Sequence, residues 1–479
     1  MTTRPAGGTA TGAARATFAT GSIMRHVVVM TATGSVGLMA VFFVDVINLF
    51  YISLLGEEEL AAAIGYAGTV LFFIMSVSIG LSIAVTAKVS RSLGAGDRVA
   101  ARRQATTGIV SAAATVLLAT LAVMPFQEAI LSALGATGRT HAIADGFLTI
   151  VMPANPILTV GMASAGVLRA AGDARRGMYV TLGGAIATAL IDPILIFGLD
   201  LGVTGAAISS VISRCLMAGI GLYGAYRIHG LIERPRPAAI VADARPLFAI
   251  ALPAVMTNLA TPVGNAFVTA SMATFGTEAV AAWAVIGRLF PLAFGGIFAL
   301  SGSIGGIFGQ NVGAGRYDRV RRTLSDSMIF TMAYVAVVWI VLMIASGSIS
   351  DAFQAEGRAR ELITFFCFAV APTFLFTGAL FVANAAFNNL GFATYSTGFN
   401  WARSTFGVIP FCWAGAILMG AEGVLLGWGV GGVLFGIAAV LVAFRAVGRL
   451  SAGADRATAP GLGATPVGPF TSGKGGTVG

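Results

Sequence analysis

Twelve apolar runs, each long enough to cross a bilayer as a helix, follow one another with short polar breaks and leave this chain little choice of fold. They fall at roughly 27–54, 60–86, 105–125, 146–167, 179–198, 204–225, 247–275, 280–306, 327–346, 362–383, 394–418 and 424–444. A hydrocarbon layer of about 30 Å is spanned by about 20 helical residues. Inside lipid, backbone polar groups must pair within a helix or around a closed barrel, and the ten-residue alternation of barrel strands is missing. Charge content agrees. Only 10% of the residues are charged and 57% are hydrophobic, whereas a soluble domain carries about 25% charged residues. The net charge of +9 does not signal nucleic acid, because the basic residues sit in short loops rather than on one solvated face.

Those loops sort by sign. Of 29 Lys and Arg, 23 fall on the side that also carries both termini, in clusters such as Lys88 to Arg103, Arg227 to Arg245 and Arg316 to Arg322. The opposite loops hold only Arg139, Arg358 and Arg360, with 11 acids from Glu57 to Glu422. The bias of basic residues toward the cytoplasm predicts cytoplasmic termini. Residues 1–21 and 451–479, rich in Thr, Ala and Gly, are expected to be disordered tails.

An internal repeat divides the chain. Gly56-Glu-Glu-Glu-Leu-Ala-Ala returns as Gly276-Thr-Glu-Ala-Val-Ala-Ala, and Leu93-Gly-Ala-Gly-Asp returns as Val312-Gly-Ala-Gly-Arg. The expected fold is an all-α membrane protein of twelve transmembrane helices in two six-helix lobes, 22–225 and 247–450, joined by a linker at 226–246. Six is even, so the lobes enter the membrane from the same side and form a parallel repeat, a plan that usually carries a substrate path between its halves. The Gly-Ala-Gly turns are helix stops rather than phosphate loops, since no GxxxxGK[ST] sequence is present.

Five charges remain inside the spans: Asp45, Asp192, Arg214, Arg288 and Arg403. Each costs at least about 2.5–3.5 kcal/mol near the bilayer centre unless water, a partner or a function compensates. Asp45 shares a helix face with Asn48, and Asp192 shares one with Thr188 and precedes Pro193. Two buried acids in one lobe are candidates for taking up and releasing a coupling ion. Arg214 lies in the same lobe and is a candidate counter-ion. In the second lobe, Asn265, Arg288, Asn384, Asn388 and Arg403 are candidates to line a cleft or to join helices by hydrogen bonds. The three cysteines lie in apolar runs without metal or redox spacing, and no nucleophile–base pair stands out. No enzyme and no cofactor is expected.

These residues resemble the multidrug and toxic compound extrusion (MATE) family of secondary transporters. The matching stretches are Phe43-Val-Asp-Val-Ile, Ser92-Leu-Gly-Ala-Gly-Asp, Val167-Leu-Arg-Ala-Ala-Gly-Asp-Ala-Arg, Ile191-Asp-Pro-Ile-Leu-Ile-Phe-Gly and Gly202-Val-Thr-Gly-Ala-Ala, over about 22–448. The resemblance implies a monomer in a bacterial inner membrane that exports small organic, often cationic, compounds by alternating access. It implies an ion site at Asp45 and Asp192, with a sixth-helix hydroxyl matching Ser210. The acids of the NorM-like branch are absent from the seventh and tenth helices, so the expectation is proton coupling in the manner of the DinF-like branch. Sodium coupling and a flippase for a lipid-linked precursor are the alternatives.

Overall fold

A computed structural model describes residues 16–53 and 58–458, the side chains at 45, 46, 49, 50, 52, 53, 58, 61 and 454–458 excepted. Among the described residues there are helices and no strands. Twelve helices are long and apolar enough to span a membrane. They are α1 Ile23–Ser53, α2 Glu58–Gly94, α3 Arg98–Ala133, α4 Gly138–Ala170, α5 Ala174–Gly198, α6 Gly202–Ile228, α7 Pro237–Ala273, α8 Thr277–Gly313, α9 Tyr317–Ala352, α10 Gly357–Leu390, α11 Ala393–Met419 and α12 Ala421–Thr458. The protein is therefore a multi-pass membrane protein.

The repeat is visible in matching elements. Both α2 and α8 run for 37 residues, about 55 Å of helix at 1.5 Å per residue, and both end in the Gly-Ala-Gly turn. Gly96 and Gly315 take φ of +75° and +68° there, a region open to glycine at little cost. The turn between α4 and α5 repeats the device, with Gly172 at φ +86°. Asp97 and Asp173 then cap the following helices, accepting from the backbone N–H of Ala100 at 2.8 Å and Arg176 at 3.1 Å.

Two large apolar cores, each centred on one lobe but drawing residues from the other, and a small third one around Ala165, Leu168 and Val180 hold the bundle. The lobes meet at the basic end, where α2 and α8 cross so closely that a Cβ on Gly94 would sit 2.0 Å from the Gln310 carbonyl oxygen and one on Gly313 1.9 Å from that of Arg91. Toward the acidic end the last tight glycine contact between lobes is Gly295 of α8 against Met39 of α1. Beyond it Phe43 and Arg288 are exposed. The tight glycine contacts between the lobes thus lie toward the basic end and stop short of the acidic end.

Two boundaries differ from the sequence reading. Residues 17–19, expected within the unfolded tail, form a 3₁₀ turn whose Phe18 is buried at 1% exposure; residues 1–15 and 459–479 lie outside the described residues. Phe18 is the single aromatic side chain of that stretch, and burying it between the lobes outweighs the surrounding small polar composition. The linker is also shorter than 226–246, because Pro237 opens α7. Proline at the first helical turn has no donor to lose and a preset φ, so an Arg-Pro-Arg-Pro stretch starts a helix as readily as it breaks one. Arg103 and Thr107 of α3 then bind Asp243 of α7, the threonine at 3.0 Å.

Candidate functional site

Asp192 lies where α5 passes through Pro193 into a π-helical turn, Ile194–Gly198. Proline gives up a backbone donor, and the wide turn accommodates the loss. The carboxyl group is fully buried, and neither oxygen has a hydrogen-bond partner. Ser209 of α6 is the polar side chain beside it, its own hydroxyl also buried. Ser210, the expected hydroxyl, instead donates to the carbonyl of Ala206 at 3.0 Å. Adjacent positions on a helix do not share a face, so a shift of one residue exchanges the hydroxyl that looks at Asp192. Thr188 turns back to the carbonyl of Gly184 at 3.1 Å.

The first helix supplies the opposite wall. α1 and α5 both start at the basic end and run side by side, with Gly37 abutting Thr181, whose Oγ1 would lie 2.2 Å from a Cβ there. Asn48 and Asp192 each lie eleven residues further along. That is three turns plus about 20° on both helices, so the two positions are equivalent relative to that contact. The Asn48 amide oxygen is buried and has no hydrogen-bond partner. Asp45 occupies α1 one turn nearer the basic end, and its side chain lies outside the described residues. Arg214 is not the counter-ion: it donates to the Val151 carbonyl and to Asn155 Oδ1, both at 2.8 Å, tying α6 to the break in α4.

The second-lobe residues divide into two groups. Arg288 and Asn265 are exposed. Arg288 sits seven residues before Gly295 on α8 and so shares the face that meets α1, which puts it on the cleft wall. Asn384 and Asn388 are buried inside the lobe rather than on that wall. Asn384 accepts from Asn400 Nδ2 at 3.1 Å, and Asn388 accepts from Ser396 at 3.3 Å, an α10–α11 network in which Ser396 and Asn400 went unnoticed in the sequence despite their helical spacing of four. Arg403 is buried at 5% exposure, with one long contact to Thr261 at 3.5 Å.

The basic end, where the lobes meet, has its own polar clasp. Gln310 of α8, 1% exposed, donates to the Ala170 carbonyl of the first lobe at 2.8 Å and accepts from the Phe18 backbone N–H at 2.9 Å. Arg319 holds the same segment, donating to the carbonyls of Phe18, Thr20 and Gly21. Sequence reasoning had no signal for Gln310, one of two adjacent amides, with Asn311, at the end of an apolar run. Among the described residues no three His, Cys, Asp or Glu side chains gather to hold a metal ion.

Comparison with known proteins places this architecture. The MatE family model matches residues 17–194 and 253–414. An FAD transporter from Shewanella oneidensis is 27% identical over 427 residues, covering 87% of this chain and 93% of that protein. The multidrug export protein MepA of Staphylococcus haemolyticus is 24% identical over 413 residues, covering 85% and 90%. The solved structure of the Vibrio cholerae MATE transporter VcmN superimposes with a TM-score of 0.84 at 24% identity, over 89% of this chain and 97% of that one. With twelve helices in two repeated lobes, and with the family model matched across both lobes, the chain belongs to the MATE family of multidrug and toxic compound extrusion transporters.

Proposed function

We propose that the protein exports organic compounds across a bacterial inner membrane in exchange for protons, with both termini cytoplasmic and Asp192 carrying the proton. The observation that supports this reading is the Asp192 carboxyl group: wholly buried, beside Ser209, with neither oxygen in a hydrogen bond of ordinary length to another helix. An ionised carboxylate in that position is costly without a partner, and a bound proton removes the charge outright. The alternative is a cation held by several oxygens. The amides Asn384 and Asn388 belong to the second lobe, where they accept from Asn400 and Ser396, and are no part of such an oxygen set.

The buried acid beside a π-helical turn supports a cycle of three steps. With the cleft open toward the acidic, outer face, a proton reaches Asp192 and cancels its charge. The proline and π-helical turn next to it give α5 a place to readjust, which changes the cleft wall and releases cargo outward. Opening at the basic end then returns the proton to the cytoplasm and readmits cargo. The named cargo of the relatives, FAD for one and multiple drugs for another, keeps the substrate class at organic compounds, cationic ones among them. The test is ethidium transport into proteoliposomes driven by an imposed pH gradient. Transport in sodium-free buffer supports the proposal; transport that requires a sodium gradient overturns it.

A further inference from the structure

Arg403 is a positive charge buried inside the second lobe, and among the described residues no carboxylate pairs with it. It lies ten residues into α11, about 15 Å from the basic end and so near the middle of the hydrocarbon layer. A guanidinium has five N–H donors. Here one of them makes the long contact to Thr261, and Nε is buried with no partner. The acids of this lobe, Glu278, Asp318, Asp326, Asp351, Glu356, Glu361 and Glu422, all lie toward helix ends. Asp326, the buried one, is paired with Arg322 at 2.8 Å.

The guanidinium borders a cavity walled by Phe290, Phe294, Phe374 and Trp428, with Thr373 and Thr377 as further polar lining. In this conformation it has about 10 Å³ of free space, room for about one water. Two π-helical turns meet at it: Arg403 opens one, Arg403–Gly407, and Phe366 and Val370 bound the other. Such turns are rare and cluster where a helix must adapt to a ligand. A buried cation surrounded by aromatic rings is stable when a compact anion supplies the missing charge.

We propose that this cavity is a site for one monovalent anionic group, held by Arg403 and flanked by the aromatic cage. A bare halide meets the description, and so does the carboxylate of an aromatic compound seated against the rings after the π-turns yield. The second source deepens the export reading by adding an acidic group to the cargo the protein accepts, and it rests on that reading; the binding itself does not.

Trp428 in the cavity wall makes binding visible. Purified protein in detergent is titrated with sodium chloride, with sodium benzoate and with neutral benzamide, at ionic strength matched by sodium gluconate, while tryptophan fluorescence and melting temperature are followed. Saturable responses to chloride identify a halide site, and responses to benzoate but not chloride or benzamide identify a carboxylate site. Either response should weaken about tenfold or more in Arg403→Gln and less in Arg403→Lys. An anion response unchanged in Arg403→Gln would overturn the proposal. So would a wild-type protein whose fluorescence and melting temperature ignore both anions, an outcome that stands even if the variants fail to fold. The measurement uses no gradient, so failure of proton coupling leaves it untouched.

Discussion

Asn48 of α1 and Asp192 of α5 occupy equivalent places on two helices that run side by side, each eleven residues beyond the close contact of Gly37 with Thr181. Both present buried oxygens without hydrogen-bond partners. A protonated carboxyl group has a donor to give and an amide oxygen to receive it, whereas an ionised one has none. On the proposed function, the pair senses the proton on Asp192.

Asn48→Leu keeps the volume and removes the acceptor. A hydrogen bond in this setting is worth about 1–2 kcal/mol, so pH-driven ethidium transport should fall about tenfold and its pH profile should move, with the melting temperature little changed. An unaltered pH profile would show that Asn48 does not sense the proton.

Gln310 is predicted to secure the basic end. Gln310→Ala strips the partner from the Ala170 carbonyl and the Phe18 N–H, each costing about 1–3 kcal/mol when left buried and unpaired. Amide hydrogen exchange at Phe18 should accelerate by about tenfold or more, and the melting temperature should drop. Exchange at the wild-type rate would mean that Gln310 does not hold the segment.

The contact of Gly94 with Gln310 leaves no room for a side chain. Gly94→Ala should wedge the lobes apart at the basic end. Spin labels at Arg102→Cys and Arg321→Cys, with the three native cysteines replaced by alanine, would read the separation, and the distance distribution should move to longer values. An unmoved distribution would place the pivot elsewhere.

Asp173 joins α5 to the end of α6. Burial pushes its carboxyl up, but donation from Arg176 and contact with His229 at 2.9 Å outweigh that and hold it below the usual carboxylate range. A carboxyl lowered on folding contributes stability above its unfolded value of about 4 and loses it as pH falls through the lower folded value. The melting temperature of the wild type should therefore fall more steeply between about pH 5 and pH 3 than that of Asp173→Asn. Equal slopes would deny the cap its charge.

The fold was legible because lipid leaves helices as the solution for runs of this length and because the repeat survives as Gly-Ala-Gly turns with the same backbone conformation. Charge sorting isolated Asp192 and Arg403 for the same reason: a charge inside an apolar run needs a cause. What sequence could not supply was rotation and partner choice. Ser209 and Ser210 differ by 100° about one helix, and only packing decides which faces Asp192. Asn384 and Asn388 are amides of the sort that line a cleft, yet Asn400 and Ser396 claim them inside the lobe. Phe18 was hidden by its neighbours' composition, since one buried ring anchored by Gln310 and Arg319 leaves no periodic signal.

The most direct test of the account is proton release from the purified protein in sodium-free detergent solution when ethidium is added, comparing the wild type with Asp192→Asn. The account predicts release on ethidium binding by the wild type, unchanged by added sodium, and none from Asp192→Asn although that variant still binds ethidium. Undiminished release from Asp192→Asn, or ethidium binding by the wild type without any release, would contradict it.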